Sequence, residues 1–326
     1  MKEILFIGPR YFNYHQVIQK GFEEKGYKVT YFDDRPSTSF FTKALIRLNK
    51  NLLKRSIKKY FKTILESCKT TKYDVVFILI GQCLYKEMID EMKVVLPEAK
   101  FVFYMWDAIK NFPDRDEFSK KFDYCYSFDN KDVEKYTWFK FLPLFYSESI
   151  DNPLPPKRDV AYIGTIKKGK YAFLHNMEEA LKGHNLDCFF YYYIQSKSVF
   201  HYLKLKDKTM KGAKIKNFRF EKINEAETYE LMKSSNIIVD VPMANQNGLT
   251  IRTFEALGFD RKLITTNKNI VNYDFYNPTN IYVYEGEGNF DFESDFFKKP
   301  YEKLPAEIKE KYSLSSFIST LLSEIK

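Results

Sequence analysis

The stretch from Ser235 to Asn267, SNIIVDVPMANQNGLTIRTFEALGFDRKLITTN, restricts the fold more than any other part of this chain. SNIIVDVP is an apolar, β-branched run closed by proline, which predicts a buried strand over Ser235–Pro242. NGLT is a short polar loop containing glycine. In IRTFEALG the apolar residues Ile251, Phe254 and Leu257 recur at helical spacing, and the following Gly258 is expected to stop the helix. KLITT is a second compact strand. Strand, loop, helix and strand form a βαβ unit, so the loop lies at the carboxyl end of the first strand, where ligands collect in open α/β sheets. A loop that feeds a helix N-terminus also presents free backbone N–H groups and a positive dipole end, which suit phosphate.

The same grammar recurs along the chain. Lys2–Asp33 reads strand, loop, helix, strand, with Ile4–Ile7 as the continuous apolar run of a buried parallel strand. No G-x-G-x-x-G fingerprint accompanies it, which disfavours a dinucleotide site of the usual kind. His15, just after the first loop, is a candidate general base; the ordinary alternative is a surface or capping histidine. Tyr73–Gly81 is a buried strand followed by a helix, and Ala99–Pro113 is a strand that ends in the polar loop WDAIKNFP. Asp107 in that loop is the favoured catalytic base, because the neighbouring Trp106 can desolvate the carboxylate. Its alternative role is to cap the next turn. Asp129 and Asp132 are expected to start a short helix at 132–136.

Ser149–Asp159, SIDNPLPPKRD, carries three prolines in a polar setting and reads as a stiff linker. Beyond it the βαβ pattern restarts, with a strand at Val160–Gly164, the loop TIKKGK and a helix at Tyr171–Leu181. A strand follows at Leu186–Ile194, then a second basic tract at Lys197–Asn217, a helix at Ala226–Ser234, and finally a closing amphipathic helix in YSLSSFISTLLSEI. The 326 residues suffice for two α/β domains, placed at 1–150 and 151–326.

NGLT–IRTFEALG–KLITT resembles the donor-binding motif of GT-B glycosyltransferases, especially bacterial family 1 and family 4-like enzymes and the spore-maturation-type glycosyltransferases. In those a loop of type (S/E)xxG precedes a helix with (F/L)EAL and a strand such as PLITT. The WD loop, FDxxxSFDxxD and LPLFY are similar to the last strands of the acceptor domain in the spore-maturation type. The resemblance implies two Rossmann-like domains with a C-terminal helix crossing back. It also implies a metal-independent glycosyltransferase of hexosyltransferase type with no cofactor, taking a nucleotide-sugar as donor substrate. The acceptor is then a glycan or lipid-linked glycan in capsule, exopolysaccharide or lipopolysaccharide assembly. Glu255 matches the glutamate that holds the donor ribose. Arg252, Asn247, Gly248, Leu249 and Thr250 would approach the sugar and diphosphate, and Gly164, Lys167, Lys168 and Lys170 would form the second phosphate loop. Retaining enzymes carry a further glutamate eight positions before this one; here that position is Asn247. The ordinary alternatives are a solvated lysine loop and a surface Arg252–Glu255 ion pair.

Four scattered cysteines without C-x-x-C spacing argue against a zinc site or a disulfide framework and fit a reducing cytoplasm. MKEILFIG enters a strand at once, so no signal peptide is expected, and no apolar run approaches the ~18–20 residues of a membrane span. The net charge of +9 points to an anionic partner. Phe40–Leu65 is expected to form a basic amphipathic helix, with Lys43, Arg47, Lys50, Lys54, Arg55, Lys58, Lys59 and Lys62 on one side. Leu45, Leu48, Leu52, Tyr60 and Ile64 would form the other side. Such a helix suits the anionic inner face of the plasma membrane, or it is an ordinary helix docked on the sheet. No nucleic-acid signature accompanies the charge. Two readings compete with the glycosyltransferase: another two-domain α/β enzyme, such as an epimerase or a phosphorylase-like protein, and a non-catalytic nucleotide- or sugar-binding protein that keeps the fold.

Overall fold

The computed structural model describes residues 1–325 except 113, 151–154, 244–245 and 287–289. The chain divides into two compact units, Met1–Leu144 together with Tyr312–Lys326, and Phe145–Lys311. The expected boundary at 150/151 and part of the expected linker fall on 151–154, outside the described residues.

Unit 1 contains β1 (Lys2–Gly8), α1 (Tyr14–Glu24), β2 (Tyr27–Asp33), α2 (Phe40–Asn49), α3 (Lys54–Cys68), β3 (Val75–Leu79), α4 (Lys86–Val95), β4 (Lys100–Met105), α5 (Arg115–Ser119), β5 (Tyr124–Ser127), α6 (Asn130–Lys135) and β6 (Phe139–Phe141). Its six parallel strands lie in the order β2-β1-β3-β4-β5-β6. Strands covered on both faces must be apolar throughout, and Ile4–Ile7 and Val75–Ile78 are fully buried. One core packs Leu5, Ile7, Val76, Ile78, Phe101 and Phe103 under Ile57, Phe61 and Ile64 of α3 and Ile89 of α4.

Unit 2 contains β7 (Arg158–Thr165), α7 (Tyr171–Gly183), β8 (Cys188–Tyr193), α8 (Lys197–Lys206), β9 (Phe218–Arg219), α9 (Glu225–Lys233), β10 (Ser235–Asp240), α10 (Ile251–Gly258), β11 (Lys262–Thr265), β12 (Ile281–Val283), α11 (Asp295–Lys298) and α12 (Ala306–Glu310). Its parallel order is β12-β11-β10-β7-β8-β9. The last helix, α13 (Leu314–Ser323), returns to unit 1. There the Phe317 ring meets Tyr104 edge-on at 5.0 Å, the Tyr124 hydroxyl donates to the Glu324 carbonyl at 2.8 Å, and Lys140 pairs with Glu324 at 2.7 Å.

Three local expectations are corrected. Phe40–Leu65 is two helices, α2 and α3, separated by a 3-10 turn at Lys50–Leu53. Asn49 causes the break, because its side chain accepts from the Asn51 N–H at 2.9 Å and its backbone is extended. The Lys50 ammonium then turns inward to the carbonyls of Gln82 and Leu84 and to Asp114, so it serves structure rather than the surface. Of the expected apolar side, Ile64 is buried, but Leu48 and Leu52 are 78% and 60% exposed. Second, the helix expected at 132–136 is α6, capped by Asp129, which accepts from the Lys131 N–H at 2.9 Å. Asp132 lies inside α6 and accepts from the Ile109 N–H at 3.0 Å and the Ser127 hydroxyl at 2.9 Å. Third, Gly258 is no stop signal. It is the last residue of α10 and lies where the segment Tyr146–Glu148 crosses that helix. A Cβ there would fall 2.8 and 2.9 Å from Cβ and Cγ of Tyr146 and closer still to the Glu148 carbonyl oxygen.

Candidate active site

In unit 2 the chain builds β7, β8 and β9 toward one edge, then places β10, β11 and β12 on the other side of β7. The strand order therefore reverses between β7 and β10, which makes their carboxyl ends the crevice of an open α/β sheet. Polar side chains from three segments meet there. Asp240 ends β10 and is buried. It accepts from the Thr250 hydroxyl at 2.7 Å and from the Thr253 hydroxyl at 3.3 Å. Thr250 is also the N-cap of α10, accepting from the Arg252 N–H at 3.2 Å. The half-buried Lys170, from the loop after β7, donates to the Val241 carbonyl at 2.5 Å, one residue beyond Asp240. Burial draws the Lys170 ammonium below the usual lysine range, while Asp240 pulls the other way and Lys167 adds to the fall. Burial also drives the Asp240 carboxyl above the usual carboxylate range, against Thr250, Arg252, Lys170 and Thr253.

One turn further along α10, Arg252 and Glu255 form an i,i+3 ion pair at 2.9 Å. It is not the surface pair that spacing alone allows, because the Glu255 side chain is 3% exposed and that of Arg252 22%. Arg252 Nη1 also lies against the Met232 sulfur. The Tyr229 ring is buried nearby; burial first, and Glu255 second, raise its hydroxyl above the usual tyrosine range.

The loop before α10 is pinned from behind. The Asn267 amide donates to the carbonyls of Asn247 at 3.1 Å and Gly248 at 3.2 Å, and Gln246 donates to Gly248 at 3.2 Å. Leu249 is buried, so it anchors the loop by its side chain and offers a ligand only backbone. Gly164 lies over the Tyr162 ring, where a Cβ would fall 2.6 Å from Cζ.

The three loop lysines separate. Lys170 turns inward, whereas Lys167 and Lys168 are exposed. Gly169 has φ of +87° and gives its N–H to Asp207 at 2.7 Å, and Lys168 faces that same carboxylate. Lys170, Thr250, Arg252, Glu255 and the Asn247–Thr250 loop thus gather at one sheet edge. Lys167 and Lys168 do not join them as side-chain partners. Asp240 and Tyr162 were not singled out by sequence. The legible signal was an acid at the end of an apolar strand, two residues before proline.

Unit 1 has its own reversal, between β1 and β3. The Trp106 ring, at the end of β4, packs on Tyr14 at the start of α1 with ring centroids 5.4 Å apart, so the segments bearing Asp107 and His15 are neighbours. Asp107 Oδ1 accepts from the Ala108 N–H and from the Asn111 side-chain amide, both at 2.8 Å, but it does not cap the next turn, whose N-cap is Ala108. The His15 ring lies 5.0 Å from that of Tyr31, and burial and then Arg10 lower its affinity for a proton, opposed by Asp33. Asp34, just past β2, is fully buried beside Asp33 and Arg35; burial, then Asp33, push its carboxyl up to about 7. Among the described residues no group of three or more His, Cys, Asp and Glu is placed to hold a metal ion, and no helix is long and apolar enough to cross a membrane.

No protein-family model matches the chain, and no curated protein sequence does. Solved structures do. HepE (Alr3699) of Anabaena, determined with UDP and glucose, is similar over 100% of this chain and 99% of its own, with a TM-score of 0.62 at 8% identity. A glycosyltransferase from Rickettsia africae ESF-5 is similar over 100% and 98%, with a TM-score of 0.58 at 14% identity. The lipopolysaccharide outer core galactosyltransferase WaaB in its apo form is similar over 99% of each chain, with a TM-score of 0.55 at 11% identity. The fold is GT-B: two Rossmann-like units with the C-terminal helix returned to the first.

Proposed function

We propose that this chain is a glycosyltransferase that binds a nucleotide-sugar in unit 2. The observation that carries the reading is the meeting of Lys170, the Thr250-capped N-terminus of α10, Arg252 and Glu255 at the β7/β10 reversal. Sugar transfer needs the leaving diphosphate stabilised as charge develops on it, and a partly buried ammonium beside a helix N-terminus suits that task. A carboxylate can accept from both hydroxyls of a ribose. Glu255 is held by Arg252 in the free protein, so donor binding exchanges partners: ribose hydroxyls come to Glu255 and phosphate oxygens to Arg252, which is suited to bidentate contact. HepE, with the same fold, was determined with UDP and glucose, which supports a nucleoside diphosphate as the ligand to try first; fold likeness alone does not specify chemistry.

Unit 1 supplies the acceptor side in this reading. Asp107 and His15 are the candidates to take the acceptor proton in an inverting transfer. The acceptor is a glycan or lipid-linked glycan of the cell surface, reached at an anionic membrane. Phe41 and Leu48 of α2 and Leu52 of the turn after it support that last element, being 78%, 78% and 60% exposed, as do the exposed Lys54, Arg55, Lys58, Lys59 and Lys62 of α3. Turnover of UDP-, GDP- and TDP-sugars by the purified protein, with Asp107→Asn and His15→Gln beside it, tests the enzyme reading. A protein that binds nucleotide but releases none from any sugar donor is a binding protein instead.

A further inference from the structure

Asp240 is out of place at a phosphate site if only its sign is considered. A buried carboxylate repels an anion, yet this one ends the strand next to the loop and helix N-terminus assigned above to the diphosphate. Its contacts explain it. It takes the hydroxyls of Thr250 and Thr253, the N-cap and the third residue of α10, so it ties the first turn of that helix to the end of β10. Lys170 reaches the adjoining Val241 carbonyl from the loop after β7, which brings its ammonium into the field of the same carboxylate.

Resting on the nucleotide-sugar reading of this edge, we propose that Asp240 is a positioning residue for the donor phosphates: it fixes the Lys170 ammonium and the Thr250 end of α10 as one preorganised anion-binding unit. The carboxylate does not touch the ligand. It acts through two partners, keeping the ammonium charged in a half-buried place and the helix N–H groups aimed. The groups facing Lys170 are Asp240 and Lys167; those facing Asp240 are Thr250, Thr253, Arg252, Lys170 and the Tyr162 hydroxyl. Burial and Lys167 both oppose protonation of Lys170, and Asp240 is the acid that counters them.

The test is calorimetric titration of the full chain with UDP, GDP and TDP, and with the matching nucleosides, at pH 7 and pH 9. Asp240→Asn keeps the side-chain shape and should weaken the diphosphate at least tenfold at pH 7, with a larger loss at pH 9, because the ammonium without its acid holds its proton less firmly. Nucleoside binding should stay within twofold. Lys170→Gln should cost a similar factor, and the double variant little more than either alone. Thr253→Val removes only the weaker hydrogen bond, so it should weaken the diphosphate by a smaller factor than Asp240→Asn and leave nucleoside binding within twofold. Multiplying losses in the double variant, or equal losses for nucleoside and diphosphate, would overturn the proposal. If Asp240→Asn does not fold, Thr250→Val cuts the stronger link, and the same selective loss of diphosphate is required of it. A wild-type chain that binds none of the diphosphates overturns the donor-site reading and this proposal together; a wild type that binds with Asp240→Asn unimpaired overturns this one alone.

Discussion

Replacing Gly258 by alanine separates two accounts of the α10 terminus by sign. If the glycine merely ended a helix in open space, alanine would stabilise it, since glycine costs about 1 kcal/mol relative to alanine within a helix. In the structure the new methyl falls 2.8 and 2.9 Å from Cβ and Cγ of Tyr146 and closer still to the Glu148 carbonyl. Carbon contacts settle near 3.5–4.0 Å, so the neighbouring strand of chain has to retreat by roughly an ångström. Retreat also strains the hydrogen bond from the Ile150 N–H to the Gly258 carbonyl at 3.1 Å. Overpacking of this kind costs about 1–3 kcal/mol, and a backbone obstacle places it near the top of that range. Subtracting the propensity gain leaves a net loss of about 2 kcal/mol. At ~2–4 °C per kcal/mol for a domain of this size, the melting temperature drops by ~4–8 °C. Differential scanning calorimetry of wild type, Gly258→Ala and the control Gly183→Ala reads it directly. Gly183 ends α7 with nothing near its Cβ position, so alanine there should be neutral or mildly stabilising. A Gly258→Ala protein that melts at or above the wild-type temperature would refute the packing of Tyr146–Ile150 on α10.

Two further outcomes follow from buried charges and a third from the exposed faces of α2 and α3. Asp34 has a folded pKa of about 7 against an ordinary 3.8. The unfolded chain therefore releases that proton first, and stability falls as pH rises from about 4 through 7. Asp34→Asn should flatten this slope and gain on wild type between pH 5 and pH 8 in urea midpoints; an unchanged slope would count against a buried, proton-holding Asp34. Arg252→Ala strands the buried Glu255 carboxylate and should cost about 3 kcal/mol, most of it recovered in Arg252→Ala/Glu255→Gln; additive losses in that cycle would mean the pair is not coupled. Reversing charge at Lys54, Arg55, Lys58 and Lys59, or replacing Phe41 and Leu48 by serine, should reduce flotation with anionic vesicles, and indifference to both would remove the membrane reading of α2 and α3.

Parallel α/β architecture was readable because buried strands such as Ile4–Ile7, Val75–Ile78 and Ile237–Val239 are apolar without alternation, and because each is followed by a helix-period segment. The loop and helix at Asn247–Gly258 were readable for the same reason, and Arg252 and Glu255 three apart had to meet on one face. Burial of that pair was not readable: it depends on Met232 and Tyr229, which arrive from another helix. Lys167, Lys168 and Lys170 look alike as letters, and only the path of the chain after Gly169, with its positive φ, turns one inward and two outward. Asp240 escaped because an acid at a strand end carries no spacing signal of its own: its partners are two threonines ten and thirteen residues on. The break at Asn49 escaped because a long run of lysines and leucines hides a single asparagine that caps its own turn.

The most direct test of the donor site is calorimetric titration of the protein with UDP, GDP, TDP, ADP and CMP, beside Glu255→Ala shown by its melting curve to be folded. The account predicts that one nucleoside diphosphate binds selectively and that Glu255→Ala loses most of that affinity. A wild type that binds none of them, or a folded Glu255→Ala that binds as well as wild type, would contradict it.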